Sequence, residues 1–164
     1  TLGLSNSITV KEYISYLANT YLFFEVSKFD FSLRKSLAAP KKIYLIDTAF
    51  NQISGFNFSS NNGRNLENVV FIELKRRKKE VYYFSEKNEC DFIIKDGSRI
   101  TRAIQVCYNL NKEDKEREVN GLIQAMNKFK LKEGVIITFD QDEKLSVEGK
   151  TIQVIPVWKW LLKE

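Results

Sequence analysis

Four side chains in the sequence have the chemistry of a site for a hard metal ion. They are Glu67, Glu89, Asp91 and Gln105. Glu89 and Asp91 are two residues apart, so on a strand their side chains point to the same face. Oxygen ligands on neighbouring elements suit Mg²⁺, which keeps several waters for chemistry on phosphates. The four residues are therefore a candidate Mg²⁺ site.

Each of these carboxylates also has an ordinary structural explanation. Glu67 near the start of a predicted helix would favour the helix dipole. Glu89 and Asp91 would be edge residues beside a turn. Both interpretations stay open at the level of the residues alone.

The lack of histidine removes several catalytic systems from consideration. None of the 164 residues is His, which excludes Ser-His-Asp and Cys-His nucleophile systems and histidine-ligated zinc. The pattern G-x-x-x-x-G-K-(S/T) is also missing, so no P-loop ATP site is predicted in this chain. Any chemistry here would use carboxylates, Lys or Tyr.

Cysteine content and hydropathy indicate an intracellular protein. Cys90 and Cys107 are the two cysteines, too few for a secreted disulfide scaffold, and we expect them to be buried thiols. No apolar run approaches the roughly 20 residues of a membrane helix. The first residues lack the basic and apolar regions of a secretory signal. We expect a cytoplasmic protein with no membrane partner.

Positive charge is moderate in total but clustered along the chain. The net charge of +5 comes from 26 Lys and Arg against 21 Asp and Glu, which permits attraction to polyanions without requiring it. The candidate nucleic-acid contacts form two groups, one of Lys28, Arg34 and Lys35, which continues to Lys41 and Lys42, and one of Lys75, Arg76, Arg77 and Lys78. The alternative for the second group is a solvated helix end, where cations are stabilising.

The first 50 residues are predicted to form a helix and two strands joined by a basic connection. A capping-box pattern predicts a helix from near Val10. Aromatic and β-branched content predicts strands at 21–26 and 41–46. This order is that of the last helix and wing of a winged helix, so we expect residues 1–50 to be a winged-helix remnant of a longer protein. Residues 51–62, rich in Asn, Ser and Gly, are the predicted linker.

Residues 63–164 are predicted to form one α/β domain. Its expected elements are a helix carrying Glu67, strands at 81–84, 90–95 and 100–108, a helix capped by Asn111, a strand at 134–139, a hairpin, and a last helix that starts at Pro156. The apolarity of 134–139 predicts a central strand with helices on both faces of the sheet. The predicted fold class is α/β, with a mixed sheet flanked by helices.

Three segments resemble a known family. They read K-I-Y-L-I-D at 42–47, G-R-N-L-E-N-V-V-F-I-E-L at 63–74 and E-C-D-F at 89–92. They look like the C-terminal domain of unknown function found behind the ATPase module of many bacterial and archaeal AAA-type proteins. That domain is similar to the PD-(D/E)XK nuclease superfamily. The resemblance implies a restriction-endonuclease-like fold after a partial winged helix, with an AAA-type ATPase module upstream as a partner.

The resemblance also implies roles for individual residues. Glu67 matches the helix carboxylate and Asp91 the metal-binding aspartate, while Gln105 and Cys107 occupy the first and last positions of the (D/E)-x-K segment. Gln105 lacks the charge that offsets dehydration of a cation. Cys107 replaces the lysine that stabilises developing charge, a loss worth about 10²- to 10³-fold in rate. Lys95 lies ~13 Å from Asp91 along the strand, too far to substitute directly.

These observations lead to one principal hypothesis and two alternatives. We expect a nucleic-acid-binding, nuclease-like accessory domain of a larger ATPase, catalytically degenerate, with DNA as its partner. Its DNA binding should be weak, without sequence preference and steeply dependent on salt. The first alternative is an active Mg²⁺-dependent deoxyribonuclease that uses Glu67, Glu89 and Asp91 with a lysine from elsewhere. The second is a protein-interaction or regulatory domain without a nucleic-acid role.

Overall fold

The fold combines helices and strands along the whole described chain. The computed structural model describes residues 7–50 and 62–162, apart from the side chains of residues 7–11, 112 and 113. The helices are α1 (Ser7–Asn19), α2 (Leu33–Ala38), α3 (Asn62–Arg76), α4 (Lys112–Lys128) and α5 (Val157–Leu161). The strands are β1 (Phe23–Val26), β2 (Lys42–Leu45), β3 (Glu80–Ser85), β4 (Glu89–Asp96), β5 (Arg99–Val106), β6 (Glu133–Thr138), β7 (Glu143–Val147) and β8 (Lys150–Pro156).

Six strands form a mixed sheet in the order β3-β4-β5-β6-β8-β7. β5, β6 and β8 are parallel, and the remaining neighbours are antiparallel. β6 lies between β5 and β8, and Ile136 and Ile137 within it are fully buried. The predicted mixed sheet and the central position of this strand are confirmed.

Helices cover both faces of the sheet, as predicted. α3 and α5 pack on one face, where Phe71 and Trp160 meet the strands, and α4 packs on the other through Leu122 and Met126. Gly121 allows α4 to approach the sheet closely, because a Cβ atom there would lie 2.0 Å from the backbone oxygen of Glu89. The start of β4 is therefore held tightly beneath α4.

The segment before α3 forms a small two-stranded unit. β1 and β2 pair antiparallel, and their connection contains α2, a helix that the residue pattern did not predict. Six residues are too few to show a helical period, and α2 is fixed instead by local bonds. The Ser36 hydroxyl donates to the Lys28 carbonyl at 2.6 Å. Next to it, the Phe29 amide and the Tyr83 carbonyl are bonded at 2.8 Å, so the unit lies along the β3 edge of the sheet.

The remaining differences between prediction and structure are small. α1 extends from Ser7, three residues before the predicted start, and Pro156 caps α5 instead of opening it. Residues 51–61 of the predicted linker lie outside the described residues, so the domain boundary stays a prediction. Within the described ranges, no helix combines the length and apolarity needed to cross a membrane.

Candidate functional site

Three carboxylates from two elements surround one ammonium group. Glu67 extends from α3, and Glu89 and Asp91 extend from β4; we call these three the carboxylate cluster. The Nζ atom of Lys42 lies 3.0 Å from Glu67 Oε1, 2.8 Å from Glu89 Oε1 and 2.9 Å from Asp91 Oδ1. The structure thus brings together the three acidic residues singled out in the sequence, and it adds a lysine at their centre.

Strand geometry explains how Lys42 reaches the cluster. Lys42 and Tyr44 are two residues apart on β2 and therefore point to the same side. Asn68 of α3 fixes this strand, because its side chain accepts from the Leu45 amide at 2.7 Å and donates to the Leu45 carbonyl at 2.8 Å. The Tyr44 ring also stacks on Phe71, with centroids 4.4 Å apart. The ammonium is thus delivered by a strand anchored to α3.

Two further donors contact the cluster. The Tyr44 hydroxyl donates to Glu67 Oε1 at 2.5 Å, and the Val106 amide donates to Asp91 Oδ2 at 3.0 Å. An ammonium group has three N–H donors and the cluster has three carboxylates. Each N–H of Lys42 can therefore serve one carboxylate. Tyr44 shares Glu67 Oε1 with Lys42, and Val106 donates to the Asp91 oxygen that Lys42 does not contact.

The electrostatics of the site follow from its burial. Desolvation by itself would lower the pKa of Lys42, but the Asp91 and Glu67 carboxylates outweigh it and raise that pKa above its ordinary value. Burial, followed by repulsion from Glu67, raises the pKa of Asp91 to about 7 although Lys42 opposes the shift. Burial and the Glu67 carboxylate also raise the pKa of Tyr44. Lys42 therefore stays charged, and Tyr44 stays a protonated donor, throughout the ordinary pH range.

Gln105 and Cys107 lie beside the cluster but have other partners. They line a cleft of about 760 Å³ together with Glu67 and Asp91. The Gln105 amide donates to Glu118 at 2.5 Å, and its oxygen accepts from the Asp91 backbone amide at 3.2 Å. The Cys107 thiol donates to a backbone carbonyl at 3.2 Å, and burial raises its pKa to about 11. Both Gln105 and Cys107 are thus engaged within the protein, and the thiol is uncharged at neutral pH.

This arrangement does not fit a resident Mg²⁺ ion. Mg²⁺ requires oxygen ligands at about 2.0–2.1 Å in octahedral geometry, and the Lys42 ammonium already lies between the oxygens that would supply them. In the described part of the chain, no group of three or more His, Cys, Asp or Glu side chains has the arrangement of a metal site. The oxygens are arranged around an ammonium group instead.

The first basic group borders this site. Lys28, Lys35 and Lys41 line a second cleft, of about 620 Å³, which reaches Glu89. Lys41 donates to two neutral oxygens. Among residues 7–50 and 62–162, no carboxylate forms an ion pair with these three lysines. Arg34 is exposed on α2 nearby in the chain. This cleft therefore carries uncompensated positive charge next to the carboxylate cluster.

The second basic group has structural contacts at the end of α3. Arg76 and Arg77 donate to Glu73 at 2.7 and 2.6 Å, and Arg77 also donates to two backbone carbonyls of α5. The bonds from Arg76, followed by those from Arg77, lower the pKa of Glu73 to about 2. Lys75 lies over an aromatic ring of β1, and Lys78 follows α3 in a turn with φ of 55°. These residues help to join α3 to its neighbours.

Lys42 and Tyr44 were not predicted as site residues. Lys42 was assigned to a basic group because of its charge. The alternation of buried and exposed residues along β2 nevertheless indicates that its side chain points inward. The apolar Ile43 is 51% exposed, whereas its neighbour Tyr44 is 5% exposed. On that strand Lys42 shares the buried side with Tyr44. A lysine placed on the inner side of a strand indicates a buried anionic partner.

Comparison with known proteins places the chain in a family. A family model described as "Domain of unknown function (DUF4143)" matches residues 62–160. The chain belongs to this family. It is 37% identical to an uncharacterized protein of Methanocaldococcus jannaschii, in an alignment that covers 93% of this chain and 36% of that protein. It is 28% identical to an uncharacterized protein of Haemophilus influenzae, in an alignment that covers 94% of this chain and 37% of that protein. The chain thus spans little more than a third of these relatives.

The family match and the site overlap only in part. The carboxylate cluster lies within residues 62–160, but Lys42 and Tyr44 come before them. The site therefore joins the region matched by the DUF4143 model to a strand outside it.

Proposed function

We propose that this chain is a nuclease-like, nucleic-acid-binding accessory domain of a larger ATPase, and that it does not cleave its ligand. The observation that carries the proposal is the cleft lined by Lys28, Lys35 and Lys41, which opens beside the carboxylate cluster. Positive charge without ion-pair partners, next to carboxylates already neutralised in part by an internal lysine, suits a bound phosphate backbone better than a reacting one.

The nuclease-like part of the proposal is supported by resemblance and by placement. Glu67 on α3, Asp91 on β4 and Gln105 on β5 line one cleft, the position that the resemblance to PD-(D/E)XK nucleases implies for them. Fold likeness does not by itself determine function. The activity must therefore be argued from the side chains.

The contacts of Gln105 and Cys107, at the (D/E)-x-K positions, support the proposal that the domain does not cleave nucleic acid. Gln105 is bonded to Glu118 and to the Asp91 backbone, and the Cys107 thiol is uncharged at neutral pH. Neither supplies the positive charge that a developing phosphorane needs. Lys95 pairs with Glu80 at 2.9 Å, so it is not directed to the cluster. The (D/E)-x-K positions themselves therefore supply no cation, and the cations that line the same cleft, Arg64 and Lys87, come from outside this segment.

Nucleic-acid binding would be electrostatic. Each phosphate neutralised by a lysine releases counterions, so a duplex held by three lysines should give a slope of log affinity against log salt of about −2.7. Contacts of this kind follow the backbone and carry no base sequence. The expected binding is weak and without sequence preference.

An ATPase partner is proposed from the length of the relatives. The chain spans 36% and 37% of the two relatives, and it contains no P-loop pattern of its own. The resemblance to domains behind AAA-type ATPase modules supports an ATPase in the remaining part. The domain would then bind nucleic acid while the ATPase module supplies the energy of ATP hydrolysis.

A cleavage assay tests the catalytic half of the proposal. The protein is incubated with plasmid, single-stranded and branched DNA in Mg²⁺ and then in Mn²⁺, beside an Asp91→Ala variant. We expect intact DNA in every sample. Robust cutting by the wild type that Asp91→Ala abolishes would establish an active nuclease instead.

A binding assay tests the nucleic-acid half. Fluorescence anisotropy of a short labelled duplex is measured at several salt concentrations for the wild type and for a Lys28→Gln, Lys35→Gln variant. The matched control is Lys132→Gln, Lys144→Gln, which removes the same charge; Lys144 is on β7, the sheet edge opposite β3. Removing the cleft lysines should weaken binding and reduce the salt slope by about 1.8, whereas the control should retain the slope. If both double variants change the affinity and the salt slope equally, the cleft is not the site of nucleic-acid binding.

A second candidate function is a protein-interaction domain without a nucleic-acid role. It is favoured by large apolar side chains around α2, where Phe31, Leu33 and Leu37 are 79%, 73% and 65% exposed. Exposed apolar patches of this kind often mark protein interfaces. Duplex binding that is absent at low salt, or that ignores salt, would favour this function over the first.

A further inference from the structure

We propose that the Lys42 ammonium is the resident cation of the carboxylate cluster and takes the place of a divalent metal ion there. The proposal goes beyond nucleic-acid binding and does not depend on it. It rests on the three nitrogen–oxygen distances of 2.8–3.0 Å around Lys42 and on the anchoring of β2. It assigns the cluster a structural purpose, which is to tie the β1–β2 unit to the six-stranded sheet.

The ammonium of Lys42 has as many partners as it has N–H donors, which number three. Glu67 and Asp91 accept hydrogen bonds from it, and Glu89 forms an ion pair with it at 2.8 Å. The Lys42 side chain is 21% exposed, so most of its stem is covered by protein. The ammonium is therefore part of the packed structure and is not an exposed surface charge.

The backbone that carries Lys42 is anchored next to the cluster. The Leu45 backbone is held at both its amide and its carbonyl by Asn68. Tyr44, between Lys42 and that anchor, is bonded to Glu67 and stacked on an α3 ring. The ammonium thus cannot leave by a change of its own rotamer without losing all three partners at once. A metal ion would have to expel it towards the cleft that Lys28, Lys35 and Lys41 line, where it would face charges of its own sign.

The cluster retains cation affinity that Lys42 only partly satisfies. Three carboxylates face one positive charge, and the neutral Tyr44 hydroxyl and Val106 amide each donate one bond to them. Removing the ammonium would leave oxygen ligands from α3 and β4 close together. Such a set suits Mg²⁺, Mn²⁺ or Ca²⁺. The loss of Lys42 should therefore uncover a divalent-cation site that the wild type lacks.

The test measures Mn²⁺ binding by isothermal titration calorimetry and thermal unfolding with and without Mn²⁺. The variants are Lys42→Met, Lys42→Met combined with Asp91→Asn, and the control Lys95→Met, whose lysine pairs with Glu80 away from the cluster. Lys42→Met should unfold at a lower temperature than the wild type and should recover part of the loss in Mn²⁺. It should also bind Mn²⁺ at least about tenfold more tightly than the wild type. The combined variant and the control should not gain binding.

Two results would overturn the proposal. One is saturable Mn²⁺ binding by the wild type as tight as that of Lys42→Met. The other is a folded Lys42→Met variant that gains no Mn²⁺ binding. If Lys42→Met does not fold, the wild type alone decides through its amide NMR spectrum. Mn²⁺ in the cluster would broaden the Val106 amide signal, because that amide is 3.0 Å from Asp91 Oδ2. We expect no selective broadening there, and broadening at stoichiometric Mn²⁺ would overturn the assignment.

Discussion

Replacement of Tyr44 by Phe isolates one bond of the carboxylate cluster. The Tyr44 hydroxyl donates to Glu67 at 2.5 Å, and the ring without its hydroxyl can keep its stacking on α3. Tyr83 is a matched control, since it is buried to the same degree and donates at 2.7 Å to the neutral carbonyl of Pro40. The two substitutions therefore remove the same atom from similar burial and differ in the charge of the acceptor.

The expected difference follows from that charge. A hydrogen bond to a charged group contributes about 1.5–3 kcal/mol, and a neutral one about 0.5–1.5 kcal/mol. Tyr44→Phe should therefore destabilise the protein by about 1 kcal/mol more than Tyr83→Phe, the difference between the centres of the two ranges. Urea unfolding followed by tryptophan fluorescence measures both free energies of unfolding.

A double-mutant cycle assigns the difference to Glu67. In a Glu67→Gln background the acceptor is neutral, so Tyr44→Phe should lose most of its additional cost. Tyr83→Phe should cost the same in both backgrounds. If Tyr44→Phe costs no more than Tyr83→Phe in the wild type, the hydrogen bond from Tyr44 to Glu67 does not make the additional contribution argued for it.

Three further substitutions test other parts of the structure. Gly121→Ala should destabilise the protein by about 1–3 kcal/mol, because the new Cβ would meet the Glu89 backbone oxygen. Gly63→Ala has open space around it and should be neutral or stabilising. Equal urea midpoints for the two variants would refute the close approach of the Gly121 helix to the sheet. Asn68→Ala should lower the free energy of unfolding by about 2–4 kcal/mol, because two hydrogen bonds to Leu45 are lost. If its unfolding temperature falls no more than that of Asn120→Ala, a substitution at an exposed position, Asn68 does not anchor the strand. The lowered pKa of Glu73 means that its ionised form adds stability above about pH 5, and that this stability is lost as the pH falls towards 2. Wild type and Glu73→Gln should differ in free energy of unfolding by about 1–2 kcal/mol at pH 7, after allowance for the exposure of Arg76. Urea unfolding should show a smaller difference at pH 3. A difference that stays constant would contradict the lowered pKa of Glu73.

The parts of the fold predicted from sequence were those with a strong local signal. β6 was predicted because a strand covered on both faces is apolar at nearly every position. The β7–β8 hairpin was predicted from Glu148 and Gly149, which have φ of 51° and 72° as a tight turn requires. α2 was missed because its bonds to the Lys28 carbonyl and to its own cap leave no periodic pattern.

The candidate site was only half predictable for a related reason. Acidic side chains near strand ends and a helix suggest a cation site by their type alone. Lys42, in contrast, is one of 26 basic residues, and its partners are 25 to 49 residues away in sequence. Nothing local distinguishes it from a surface lysine except the inward orientation of its strand. The cation at the centre of the site becomes visible only when β2 is placed on α3.

The central proposal is that this domain binds nucleic acid through lysines and not through a metal ion. The most direct measurement is the affinity for a short duplex in EDTA and in Mg²⁺, at matched ionic strength. We predict equal affinity in the two solutions, because Lys28, Lys35 and Lys41 need no metal to contact phosphates and Lys42 already occupies the carboxylate cluster. Binding that requires Mg²⁺ and disappears in EDTA would contradict the account.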